Sequence, residues 1–274
     1  MVAEANTRRM VLVEETILET ATIKTLIFND KLSSRAAAGQ FLMVWVPKID
    51  ELPMSVMIIP RKHFAAITVR KYGFGTTALF DMKKGDKIGI RGPYGKKFAF
   101  SNKFSHVLLV GGGTGLVPLL RLANQLKESN IKYTLIMGAR NENEVFFEAT
   151  AYNLLGDTGN NIIVCTDDGS HGLKGTAVDV MTNVVKEHSF DHVFTCGPEK
   201  MMKKVFKICE SNMIPIQASL ERYMKCGIGI CGSCSIDRWL VCIDGTVFNR
   251  NELAAMKEFG LNFRDKYGIL KKIN

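Results

Sequence analysis

The sequence predicts an α+β chain in three parts. An antiparallel β-barrel over residues 1–100 is followed by an open parallel α/β sheet over 101–217 and a small irregular module over 218–274. Three observations predict this. Short β-rich runs crowd the first third with no helix of ten residues between them. The middle third alternates apolar runs with helical patterns. Near the C-terminus the cysteines follow the spacing Cys226-x4-Cys231-x2-Cys234, with Cys242 soon after.

The barrel strands are expected over 10–16, 22–28, 39–46, 55–59, 65–71 and 87–91, where β-branched and aromatic residues concentrate between turn residues. Pro47, Lys84-Gly85-Asp86 and Gly92-Pro93-Tyr94-Gly95 punctuate them. Closely spaced strands of this kind close into a small barrel. One short helix is expected at about 77–81. The glycine-rich Tyr72-Gly73-Phe74-Gly75-Thr76-Thr77 leads into it. Free amides at a helix start suit phosphate, although a plain turn and N-cap explains the same residues.

Residues 106–110 read as a buried strand ending in Gly111-Gly112-Gly113-Thr114-Gly115. A helix follows, with apolar positions at 116, 119, 120, 122, 123 and 126 and with Pro118 in its first turn, where proline is tolerated. Strand, glycine loop and helix together present amides to a dinucleotide pyrophosphate. Further strands are expected over 132–137, 162–166, 192–195 and 215–220, with helices over 144–155, 176–187 and 200–211. Such alternation gives a parallel sheet, and ligands bind at the C-terminal ends of its strands. The glycine loop, Gly138-Ala139-Arg140, Asp167-Asp168-Gly169-Ser170 and Cys196-Gly197-Pro198 all fall on that edge. Asp167 and Asp168 read as turn and capping residues rather than an acid–base pair. Hydride transfer needs positioning more than a strong acid or base.

The cysteine spacing is that of the plant-type [2Fe–2S] loop. A closed zinc site is the rival, but zinc ribbons pair two CxxC knuckles, and here there is one, Cys231–Cys234. Gly227, Gly229 and Gly232 allow the tight backbone that brings amides near sulfur. Seven cysteines in all suit a reducing, cytoplasmic setting better than a disulfide framework. Cys165 and Cys209 read as packing residues, whereas Cys196 reads as either a core or a ligand-facing residue. The net charge of +9 is spread along the chain, with no Lys/Arg run longer than two, which argues against a nucleic-acid face. No apolar run reaches the ~18 residues of a membrane span. A charged amphipathic helix over about 251–259 is expected to cap the cysteine module or touch a partner.

The combination of Gly73-x-Gly75-Thr76, Gly111-Gly112-Gly113-Thr114-Gly115-x-x-Pro118 and Cys196-Gly197-Pro198 resembles the ferredoxin–NADP reductase superfamily. With the cysteine loop, and with Glu221-Arg222-x-Met224-x-Cys226-Gly227-Ile228-Gly229, the resemblance narrows to the electron-transfer subunits of dihydroorotate dehydrogenase type B, over nearly the whole chain. It implies a flavin barrel, a nicotinamide domain and a cluster module. The implied cofactors are FAD, NAD and a [2Fe–2S] cluster. The implied partner is a catalytic, FMN-containing subunit in a heterotetramer. By position, Leu52, Pro53, Met54, Ser55, Val69, Arg70, Lys71, Gly75 and Thr76 would hold FAD. Gly111 to Gly115 with Pro118, and Cys196, Gly197 and Pro198, would face the nicotinamide nucleotide. Cys226, Cys231, Cys234 and Cys242 would hold the cluster. Two positions depart from the family pattern. Leu52 stands where the family has a flavin-binding arginine, which leaves FAD against FMN open, and only seven residues separate Cys234 from Cys242. A diaphorase-type subunit of another oxidoreductase is the related alternative. A zinc-bearing nucleotide-binding regulator is the unrelated one.

Overall fold

The computed structural model describes residues 2–155 and 161–273. A helical turn, α1 (Val2–Asn6), leads into a closed six-stranded barrel. Its elements are β1 (Arg9–Thr20), β2 (Ile23–Asn29), the turn α2 (Lys31–Ser34), β3 (Phe41–Val46), β4 (Asp50–Met57), β5 (Phe64–Arg70), α3 (Phe74–Asp81) and β6 (Lys87–Tyr94). The strand order is β1-β2-β5-β4-β3-β6, every pairing antiparallel. Val13, Leu26, Phe28, Leu42, Val44, Ile67 and Ile88 fill the interior. The expected strand over 55–59 begins earlier, at Asp50, and contains Pro53. Proline is tolerated there because β4 pairs with β3 along its length but with β5 only at Val56 and Met57.

The second unit begins with β7 (His106–Gly112), a 3-10 turn at Gly113–Gly115 and α4 (Leu116–Glu128). It continues through β8 (Lys132–Ala139), a second 3-10 turn at Glu142–Glu144, α5 (Glu148–Leu155), β9 (Asn161–Thr166), β10 (Leu173–Lys174), α6 (Ala177–Glu187), β11 (His192–Cys196), α7 (Glu199–Ser211) and β12 (Ile216–Ser219). The helix expected from 144 starts four residues later. The Asn141 side chain accepts from the Asn143 amide and closes a separate turn, and Phe146 and Phe147 then bury both rings before the helix begins. Alternation along β7 divides the core. Val107 and Leu109 pack with α4, while Leu108 and Val110 pack with α6 and α7.

The last unit holds β13 (Ser235–Ile236), β14 (Trp239–Leu240), α8 (Val241–Asp244), β15 (Val247–Asn249), α9 (Arg250–Ala255), β16 (Asn262–Arg264) and β17 (Leu270–Lys272). This module is less separate than the sequence suggests. Its β15 pairs antiparallel with β12 and completes a seven-stranded sheet, β10-β9-β8-β7-β11-β12-β15. The helix expected over 251–259 stops at Ala255, and Met256 and Phe259 turn into the core shared with α6 and α7. The tail therefore caps the module.

Two buried side chains join barrel to sheet. Arg121 of α4 donates to the carbonyls of Ala36 (2.6 Å), Met57 (3.1 Å) and Ser34 (2.8 Å), and its burial pulls the guanidinium down to about 10. Gln217 of β12 brackets Ala99, accepting from its amide at 2.9 Å and donating to its carbonyl at 2.6 Å.

Candidate functional site

The parallel register aligns the strand ends. Cys196 pairs with Gly111 and with Ser219, Gly112 pairs with Gly138, and Gly138 with Cys165. The glycine loop, Gly138-Ala139-Arg140 and Cys196-Gly197-Pro198 thus meet on one edge. A Cβ on Gly111 would lie 2.7 Å from Leu119, and one on Gly115 would strike the Cys196 carbonyl. Gly113 has φ 55° and nothing within 4 Å of where a side chain would begin, so the loop has open space beside it there. Pro118 is buried in the first turn of α4, and Pro198 precedes α7. Cys196 itself is 1% exposed, and burial pushes its thiol up. Its side chain packs in the core, and the neighbouring backbone reaches the edge. Cys165 and Cys209 are also buried, their thiols pushed up to about 11 and about 12. Asp168 accepts from the Ser170 amide (3.0 Å) and hydroxyl (2.7 Å), which makes it a turn residue.

On the barrel, Leu52, Pro53, Met54 and Ser55 lie half-buried on β4, with Leu52 and Met54 packed against the barrel core. Leu52 and Asp50 border Gly75, with the Leu52 Cδ2 3.2 Å from the position a Gly75 Cβ would take. Thr76 is committed to the cap of α3, its hydroxyl accepting from the Gly73 (2.9 Å) and Tyr72 (3.1 Å) amides. Val69 points into the barrel core, so only its backbone can meet a ligand. Arg70 faces the second unit and pairs with Glu144 at 3.4 Å, while Arg140 also pairs with Glu144. Lys71 is 3.8 Å from Asp81 and exposed. The amides at the start of α3 and Arg70 are the groups that would hold a flavin phosphate, with no cation at position 52.

The cysteine loop turns on Gly227, Gly229 and Gly232, with φ of 72°, 79° and 71°. Amides point at sulfur. Those of Ile228, Ile230 and Cys231 approach Cys226 Sγ at 3.5, 3.4 and 3.5 Å, and that of Gly229 approaches Cys242 Sγ at 3.2 Å. The four thiols interact with one another, Cys231 with Cys226 and Cys234, and Cys242 with Cys234 and Cys226. Burial would raise the Cys231 thiol, but bonds from Ser233 and Cys226 outweigh it and bring it down to about 6. The bond with Cys242 brings Cys234 down to about 7. Among the described residues, no three His, Cys, Asp or Glu side chains converge as ligands of a single ion. Amide donors directed at the Cys226 and Cys242 sulfurs, in a loop with this cysteine spacing, suit thiolate ligands of an iron–sulfur cluster. The short return to Cys242 is made by the β13–β14 hairpin and α8, which bury Cys242 to 1% exposure.

Three features escape local reading of the sequence. They are β15, the buried Arg222–Glu199 ion pair that pins the module to α7, and the Arg91–Glu51 pair beneath the cysteine loop. Each depends on partners 23 or more residues apart.

A flavin-type barrel, a parallel sheet with a glycine edge and an iron–sulfur cysteine loop define an oxidoreductase that passes electrons between a nicotinamide nucleotide and an iron–sulfur module. Residues 221–254 match the family described as the iron–sulfur cluster binding domain of dihydroorotate dehydrogenase B, and residues 109–207 match the oxidoreductase NAD-binding domain. A relative from Methanocaldococcus jannaschii is 40% identical over 95% of this chain and 96% of its own length. It is described as a probable dihydroorotate dehydrogenase B (NAD(+)) electron transfer subunit. The chain belongs to the family of dihydroorotate dehydrogenase B electron-transfer subunits. Among solved structures, that of an NADH-dependent reduced ferredoxin–NADP oxidoreductase superposes with a TM-score of 0.79 and 28% identity, covering 89% of each chain. A Neisseria gonorrhoeae ferredoxin NADP+ reductase with bound FAD and NADP shares the fold, with a TM-score of 0.64 and 16% identity over 74% of this chain and 91% of that one. Among the described residues, no helix is long and apolar enough to cross a membrane.

Proposed function

We propose that the chain carries electrons between NAD(H) and a catalytic dihydroorotate dehydrogenase subunit holding FMN, within a cytoplasmic heterotetramer. Residues 1–100 seat FAD, 101–217 bind NAD, and Cys226, Cys231, Cys234 and Cys242 hold a [2Fe–2S] cluster. When bound, the flavin exchanges hydride with nicotinamide and releases electrons singly, and the cluster carries them one at a time.

The observation that carries this reading is the seat of the cysteine loop. Gly227 packs so closely on Met43 that an added Cβ would lie 2.7 Å from its Cγ, while β15 of the same module extends the nucleotide sheet. The module thus touches both the barrel and the sheet, as an electron path between them requires. The chain's own residues do the positioning. Gly111, Gly115 and Gly197 let the glycine loop pack closely on the neighbouring strand end, and Gly113 leaves open space beside it for nicotinamide and pyrophosphate. Leu52 to Ser55, Val69 to Lys71, Gly75 and Thr76 line the flavin side.

The experiment is Cys231→Ser in the co-purified complex. Transfer to one-electron acceptors and to the partner is expected to be lost, with NADH reduction of flavin retained. Equal loss of both would overturn the relay. The likeness to the ferredoxin–NADP oxidoreductase keeps a second reading, a diaphorase-type subunit with a different partner, and co-purification from the native host decides between them.

A further inference from the structure

The barrel face beneath the cysteine loop carries a built charge pair with no part in the flavin or nicotinamide contacts above. Arg91 stands on β6 and Glu51 on β4, with β3 between them. Arg91 Nε donates to Glu51 Oε1 at 2.9 Å and Nη2 to Oε2 at 2.6 Å, a bidentate pair with side chains 14% and 16% exposed. The same Nη2 donates at 3.1 Å to the carbonyl of Cys226. Nη1 reaches the Tyr94 hydroxyl at 3.4 Å, which in turn donates to Asn6 Oδ1 at 2.8 Å. Arg8 adds a longer contact to Glu51, 3.4 Å. Burial would raise the Glu51 carboxyl, but bonds and charge from Arg91 outweigh it and hold it below its ordinary value.

We propose that Arg91 is a positioning residue for the iron–sulfur loop. Its guanidinium, oriented by Glu51, fixes the backbone of the first cysteine ligand against the flavin barrel and sets the reduction potential of the cluster. This rests on the iron–sulfur reading above. Three features support it. A fork clamped by a carboxylate cannot swing, so its remaining donor holds Cys226 at a defined distance from the barrel. The contact joins a strand of the flavin unit to the module 135 residues later, where Gly227 lies on Met43, while a second tie, Lys96 to Glu252 at 3.6 Å, reaches α9 and not the cysteine loop. Reduction adds negative charge to the cluster, so a fixed cation in a partly buried setting stabilises the reduced form, and Glu51 offsets that cation.

The two charges therefore act in opposite senses, which a purely structural role does not require. The test is an anaerobic redox titration of the purified holoprotein, followed by visible absorbance and EPR, on the parent, Arg91→Gln, Arg91→Lys and Glu51→Gln. With Arg91→Gln the cluster midpoint is expected to move negative and flavin-to-cluster transfer to slow about tenfold or more. The flavin midpoint and the rate of NADH reduction of flavin should stay as in the parent. Arg91→Lys should hold the midpoint near the parent value, because charge is kept. Glu51→Gln should move it positive. Shifts of the same sign in Arg91→Gln and Glu51→Gln, or no shift in either, would overturn the proposal. If Arg91→Gln does not yield folded protein, the sign in Glu51→Gln alone decides. A parent without iron would instead overturn the iron–sulfur reading itself.

Discussion

The nucleotide sheet and the cluster module are held together by different means. The sheet's strands β7, β8 and β11 are five to eight residues long and almost wholly buried, with helices on both faces. The module's strands are two or three residues long, and its helices four and six. Its order comes from a few long-range ties: β15 on β12, Arg222 on Glu199, and Phe248 and Phe259 packed into the sheet's core. The sheet would hold its shape by burial alone. The module borrows its shape from the sheet and the barrel, and a metal centre would add to it.

That contrast can be broken at several points. The largest effects are expected in the shared core. Leu109→Ala in the sheet and Phe259→Ala in the module should each cost about 3–5 kcal/mol. In Leu109→Ala, loss of far-UV signal and loss of cluster absorbance should coincide on heating. In Phe259→Ala the cluster signal should go first, and coincident transitions there would contradict the module's dependence. Next comes Arg222→Met, which leaves the Glu199 carboxylate buried without its cation and should cost about 3–5 kcal/mol. Arg222 also donates to the Asn262 carbonyl, and Glu199 accepts from the Gly260 amide, so hydrogen exchange should quicken mainly over residues 258–273.

In the sheet, His192 is packed between Phe104 and Phe194, and burial brings its imidazole down to about 4 from an ordinary 6.5. Between those values the unfolded chain binds more protons than the folded one. Stability is then full above about pH 6.5 and falls by about 3 kcal/mol as pH drops toward 4. Urea midpoints of His192→Gln against the parent should show a flatter slope in that window. The smallest effect is expected at Arg61→Gln, because its ion pair with Glu15 is exposed on both sides. Its thermal midpoint should correspond to less than about 0.5 kcal/mol.

The same contrast explains what the sequence discloses. The barrel and the parallel sheet are legible because period-2 runs, apolar strands and glycine turns act within ten or so residues. Gly111 to Gly115 and Cys196-Gly197-Pro198 could be placed on one edge from alternation alone. The four cysteines are legible because their spacing is itself the signal. Three-residue β15 carries no periodicity, and only its partner β12 makes it a strand. Arg91 looks like any arginine before a glycine, and its meaning lies in Glu51, 40 residues earlier, and Cys226, 135 later. The early end of α9 is similar, since Met256 and Phe259 leave the helix to reach a core that the local pattern does not show.

The measurement that bears most directly on the central claim is the EPR and visible spectrum of the anaerobically purified protein before and after NADH, with the extracted flavin identified. The account predicts FAD, a two-iron cluster signal that appears on NADH addition, and its loss in Cys231→Ser with flavin reduction retained. A colourless protein with stoichiometric zinc and no flavin would contradict it.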